Sequence, residues 1–208
     1  MKTKKEIESW IEHICWLLSN AYEAYQKLIA IEKNFGLNKL SDTVAWEFGV
    51  GFQFYDNLLS LSNNAFNDLL FGICHVYDND SDSTTLRNVL VAIKDNDELN
   101  EGFSIDFDKE ISEIDEIVAY KTRRPIYDLL SKIRNNQVAH SDKSFIPREI
   151  RISEIKKFLD ETIERANRIF KNINMKVPMI DFEKSNIKNP IDDFFDKYKN
   201  EIELLEIN

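Results

Sequence analysis

Apolar residues recur at three- and four-residue intervals over long stretches of this chain, and little interrupts them. Residues 4–33 place Ile7, Trp10, Ile11, Ile14, Leu18, Ala21, Tyr25 and Leu28 on one helical face. The spacing returns in Phe66, Leu69, Leu70, Ile73 and Tyr77, and again in Ile155, Phe158, Leu159, Thr162, Ile163, Ala166, Ile169 and Phe170. With 5 Gly and 4 Pro in 208 residues, a turn-rich β architecture is excluded. The pattern predicts helices over about 4–33, 43–78, 83–94, 107–120 and 122–139, and a further one capped by Ser153. Gly36 reads as a stop, the string from Asp78 to Ser83 as a polar turn offering N-caps, and residues 95–105 as a loop. Pro125 falls in a first helical turn, where its missing N–H is harmless. Met175 to Asn189 reads as an irregular connection, and Pro190 opens a short acidic, aromatic helix through about Leu205. The expected fold is all-α: a helical bundle over 1–173 with a C-terminal helical appendage over 174–208.

Charge separates the function classes. The net charge of −10 argues against a protein that coats nucleic acid generally. Yet Lys121 to Lys171 carries thirteen Lys/Arg against seven Asp/Glu, leaving fourteen against thirty elsewhere. That segment is either a local phosphate-binding patch or a solvated helix face. The most apolar stretch, 44–61, is broken by Glu47, Gln53, Asp56 and Asn57, so no membrane span is expected. The N-terminus lacks an apolar signal core. Cys15 and Cys74 cannot build a disulfide framework and read as small core residues in a reducing, cytoplasmic setting.

Several chemistries lack their residues. Asp78, Asp80 and Asp82 alternate like the start of a calcium loop, but Ser83 and Val89 stand where that loop needs Gly and a bidentate Glu. No Gly-rich phosphate loop, HExxH or GxSxG is present. Of the three histidines, His13 lies off its helix's apolar stripe, and His75 lies about 200° round from Ile73. His13 reads as a surface residue, and His75 as a surface or partner-contact residue with a place at a cleft edge as the alternative. Three histidines so separated suggest no metal site.

The informative stretch is 127–145, YDLLSKIRNNQVAHSDKSF, which combines Arg134, Asn135 and His140 with Ser141 and Asp142. Arg, four to six residues, then His, with a polar residue after the Arg, is the signature of the HEPN superfamily. Here the spacer runs from Asn135 to Ala139. The form RNxxxAHSD, after two helices and before another, resembles the AbiU-type abortive-infection branch. The resemblance anchors on 122–145, suits the helix pattern of 4–173 and says little about 174–208. It implies a HEPN-like antiparallel bundle and a metal-independent endoribonuclease of phage-defence or toxin–antitoxin type. The partners it implies are RNA as substrate, a second copy of the chain, and an antitoxin or a nucleotidyltransferase; no cofactor or metal is implied.

The chemistry suits these residues. RNA carries its own nucleophile, the 2′-hydroxyl, so the protein must supply proton transfer and charge stabilisation. His140 suits the first task, with an unperturbed pKa of about 6.5. Arg134 suits the second, through a permanent charge and a planar fork that fits phosphate oxygens. Asn135 would orient His140 or hold a phosphate oxygen, with Ser141, Asp142 and Arg124 as substrate-positioning candidates. Six residues at 100° each set Arg134 and His140 about 120° apart on an ideal helix. Either the helix ends or bends before His140, or two protomers bring their motifs together across a shared cleft. Without that chemistry, His140 is a helix-terminal cation and Arg134 an ion-pair partner. The alternative function is a non-catalytic helical module binding RNA, nucleotide or a protein.

Overall fold

The computed structural model describes residues 2–35, 51–78, 80, 82–100, 105–119, 124–135 and 152–171. Every regular element among them is a helix: α1 (Lys4–Phe35), α2 (Gly51–Val76), α3 (Leu86–Lys94), α4 (Asp97–Asn100), α5 (Phe107–Val118), α6 (Pro125–Ile133) and α7 (Ile152–Lys171). The all-α expectation is met. The chain divides into two compact units, Met1–Tyr22 with Leu69–Asp181, and Glu23–Asp68 with Phe182–Asn208. In the second unit, α1 contributes buried Ala24, Tyr25, Leu28 and Ile31, and α2 contributes buried Ala65. The positions expected for the Gly36 stop, the 174–208 appendage and its Pro190 helix lie outside the described residues.

The first unit carries the motif. Its core joins Ile7, Ile11, Ile14, Leu17 and Leu18 of α1 to Leu69, Leu70, Ile73 and Cys74 of α2. The two helices approach closely at Gly72, where a Cβ would stand 2.8 Å from both the Ala21 Cβ and the Leu17 carbonyl oxygen. Within this unit α3 packs on α5, α5 on α6 and α6 on α7. The eight apolar-face residues expected of α7 are all buried. Each large aliphatic or aromatic side chain so covered contributes about 1.5–3 kcal/mol. Across α5 and α7, buried Glu110 takes Arg165 at 3.3 Å and Arg168 at 2.8 Å.

Three boundaries differ from the sequence expectation. The cap of α3 is Thr85, whose side chain accepts from the Asn88 N–H at 3.2 Å, rather than a residue of the Asp78–Ser83 string. The turn expected of that string is seen at its described residues, the Asp82 N–H donating to Asp80 Oδ1 at 3.0 Å. The loop of 95–105 contains α4, a single turn capped by Asn96, which accepts from the Leu99 N–H at 3.2 Å. One turn is too short for periodicity to reveal. Finally, α7 begins at Ile152, so Ser153 sits inside its first turn and is not the cap.

Gly72→Ala should lower stability by about 1–2 kcal/mol, because a backbone carbonyl cannot yield as a side chain would. Alanine's better helix propensity, about 1 kcal/mol, offsets part of the clash. Urea unfolding would read the loss as a lower midpoint. A midpoint at or above that of wild type would contradict the close approach of α1 and α2.

Candidate functional site

Arg134 is the residue at which α6 stops being an α-helix. Regular geometry ends at Ile133, and residues 134–135 continue as a wider π turn. Such wider turns recur at functional sites. The Arg134 backbone N–H still donates to the Leu130 and Ser131 carbonyls, which fixes its main chain.

The guanidinium is held from two sides. Nη1 donates to Asp78 Oδ2 at 3.3 Å, and Nε donates to Asn135 Oδ1 at 3.1 Å. Its side chain is only 21% exposed, so this is a part-buried group rather than a waving surface arginine. The Asp78 contact lies at the long end of N–H···O bonds, which cluster near about 2.9–3.0 Å. An incoming anion can therefore compete for that nitrogen. Asp78 itself follows the end of α2, and its neighbour Tyr77 is anchored, the Tyr127 hydroxyl donating to the Tyr77 carbonyl at 3.1 Å.

Arg134 acts electrostatically on the end of α2. Burial pushes the Cys74 thiol up to about 12, against which the positive charge of Arg134 pulls. Cys15 is likewise pushed up to about 11 by burial. Both thiols are therefore inert core groups at neutral pH. The His75 imidazole is held below its ordinary value, first by burial, then by neighbouring His13; Asp78 opposes this and Arg134 adds to it. It is neutral at pH 7 and can accept a proton or a hydrogen bond.

Of the residues singled out by sequence, Arg134 and Asn135 are brought into direct contact. Arg124 stands at the other end of α6, its guanidinium paired with Glu161 and 5.1 Å from the centre of the Phe158 ring. His140, Ser141 and Asp142 lie outside the described residues. Sequence reasoning missed Asp78 as the partner of Arg134, since 56 residues separate them. It also missed that His13 and His75 meet, their ring centroids 5.8 Å apart. A polar residue just past a helix end was the available signal for Asp78, and it is a weak one. Among the described residues, no cluster of three or more His, Cys, Asp or Glu could hold a metal ion. No described helix is long and apolar enough to cross a membrane.

Comparison with known proteins agrees with the motif. The family model of AbiU2, a HEPN family, matches residues 46–201, a span that includes Asp78, Arg134, Asn135 and His140. Comparison with curated proteins and with solved structures gave no match. With three quarters of its length matched, the chain belongs to the HEPN AbiU2 family.

Proposed function

We propose that this abortive-infection HEPN protein is a metal-independent endoribonuclease acting in the cytoplasm. The observation that carries the reading is the placement of Arg134, the first residue of the signature, in a π turn where Asp78 and Asn135 brace it. A braced guanidinium loses less freedom on taking a phosphate than a loose one does.

In the reaction proposed, the substrate's 2′-oxygen attacks the adjacent phosphorus and gives up its proton to a base. The bond to the 5′-oxygen breaks, and that oxygen takes a proton as it leaves. The products are a 2′,3′-cyclic phosphate and a 5′-hydroxyl. Arg134 stabilises the charge that gathers on the phosphorane oxygens. His140 is assigned the proton transfers, and Asn135 keeps the guanidinium oriented. Ser141, Asp142 and Arg124 are assigned to substrate positioning, Arg124 at a distance because it is already engaged with Glu161. An antitoxin or nucleotidyltransferase would control the activity.

A second reading, a non-catalytic module, draws on one observation: the guanidinium already has a carboxylate partner in Asp78. The two separate on RNA integrity after induced expression of wild type beside His140→Ala. Intact RNA with both proteins would favour the module.

Purified protein should cleave RNA in excess chelator and leave 2′,3′-cyclic phosphate ends. Loss of activity with EDTA, restored by a divalent ion, would refute the mechanism. Arg134→Lys keeps the charge but loses the fork, and should slow turnover about 10²–10³-fold. Near-normal turnover would remove Arg134 from the catalytic groups, and an equal loss in Lys157→Ala would indicate a diffuse phosphate patch.

The reading includes a homodimer with both motifs in one groove. Mixed Arg134→Ala and His140→Ala subunits should then recover part of the activity each lacks alone. Mixtures of wild type with either variant report whether subunits exchange. Exchange without recovery would argue for sites complete within one chain, and a fully active monomer would reject the shared groove.

A further inference from the structure

Toward the end of α2, four rings form one continuous row across α1 and α2. Trp16 stacks on His13 with centroids 5.7 Å apart and planes at 20°. His13 meets His75 edge to face at 5.8 Å, and His75 stacks on Phe71 at 5.4 Å and 26°. These separations fall in the range of favourable ring pairs. The spacing is helical: His13 and Trp16 lie three apart on α1, Phe71 and His75 four apart on α2. Among the described residues, the row's two outer members are the large hydrophobics left most exposed, Trp16 at 57% and Phe71 at 51%.

A single exposed aromatic needs no explanation. Two that terminate one ordered row, whose member His75 precedes the ion-pair partner of a motif arginine by three residues, do. The row connects to the motif through His75, which lies three residues before Asp78, the ion-pair partner of Arg134. Behind burial and His13, the charges of Asp78 and Arg134 both act on the His75 imidazole.

We propose that this row is a nucleobase-stacking subsite for single-stranded RNA, in which a base lies against Trp16 or Phe71 while a nearby phosphate engages Arg134. The proposal rests on the ribonuclease reading. Ring chemistry supports it: stacking accepts any base, since every base has a π-face. Among the described residues Trp16 and Phe71 are the exposed large hydrophobics, so the row offers two separate ring faces rather than the broad apolar patch that marks a protein interface.

The test uses the full chain and a labelled single-stranded 12-mer RNA made uncleavable by 2′-O-methyl groups, with binding read by anisotropy. Trp16→Ala and Phe71→Ala should each weaken binding about tenfold, whereas Trp16→Tyr and Phe71→Tyr retain it. A 12-mer with central abasic sites should bind wild type as weakly as the intact oligomer binds the double alanine variant. Loss of a ring should leave the salt dependence unchanged, whereas Arg134→Ala should flatten its slope by about one. Both rings being exposed, the variants should melt with wild type; a variant that does not is replaced in the comparison by the abasic oligomer on wild type.

Alanine variants that bind as tightly as wild type, or abasic RNA that binds as well as intact RNA, would overturn the subsite. So would a variant that changes the oligomeric state of the free protein, since the row would then be a face for a second copy. Absence of any binding to the wild type would overturn it outright. Cleavage of unmodified RNA separates the two readings. Turnover that depends on Arg134 but not on the rings leaves the ribonuclease standing without the subsite. Ring-dependent binding without turnover leaves an RNA-binding subsite on a non-catalytic protein.

Discussion

The end of α2 is where the candidate site is anchored, and a single buried hydroxyl secures it. Carbonyls at a helix C-terminus lack intrahelical partners. At Tyr77 the missing partner is the Tyr127 hydroxyl, at 3.1 Å and buried. The same tyrosine meets the Tyr77 ring edge to face at 5.9 Å, and Tyr77 stacks on Phe158 of α7 at 5.7 Å. Three helices are thus pinned at one point. Tyr127 and Arg134 lie seven residues apart, on nearly the same face of α6, and they meet consecutive residues, Tyr77 and Asp78. The hydroxyl that completes the end of α2 therefore also sets the carboxylate against which Arg134 rests.

That arrangement makes the guanidinium part of the fold without consuming it. A deeply buried pair would resist exchange, because removing one partner strands a charge in a poor solvent. Here the Arg134 and Asp78 side chains retain 21% and 33% exposure at a separation of 3.3 Å. Water can reach both ions, so replacing carboxylate by phosphate leaves no charge dry. Asn135 supplies the second hold, on Nε, which keeps the plane of the fork when Nη1 changes partner.

What the sequence disclosed follows from which interactions are local. The buried stripe of α7 was legible residue by residue, because a 3.6-residue period acts on each side chain independently. Pro125 was legible at the start of α6 for the same local reason. Caps were harder: Thr85 and the Asp78–Ser83 string offer similar oxygens, and only the tertiary path of the chain decides which one reaches a free N–H. Within the candidate site, the Arg134–Asn135 contact joins sequence neighbours and lay within reach of the motif. The Asp78 contact and the His13–His75 contact arise from helix packing, which periodicity does not specify. The expected 120° divergence of Arg134 and His140 presumed an unbroken α-helix; α-helical geometry gives way at residues 134–135, and His140 lies outside the described residues.

The basic segment bears on how so acidic a chain could engage a polyanion. Sequence left two readings for the excess of Lys and Arg between 121 and 171. In the structure Arg124 pairs with Glu161, Lys132 with Asp128, Lys156 with Asp160, and Arg165 and Arg168 share Glu110. These five cations are engaged with carboxylates of the same fold, which lowers the positive field that they offer; Lys121, Arg123, Lys143, Arg148 and Arg151 lie outside the described residues. With a net charge of −10 besides, general attraction to phosphates is poor. On the proposed ribonuclease reading, recognition would be concentrated at a few groups whose partners are exchangeable or whose chemistry is insensitive to charge. Arg134, with its long contact to Asp78, is of the first kind. Stacked rings are of the second, since a base against an indole or phenyl face releases few counterions and gains little from a positive field. An RNA-binding chain with this charge would therefore show shallow salt dependence for its size, with affinity carried more by unpaired bases than by backbone. Double-stranded RNA, which hides those bases, would be the poorer ligand on the same grounds.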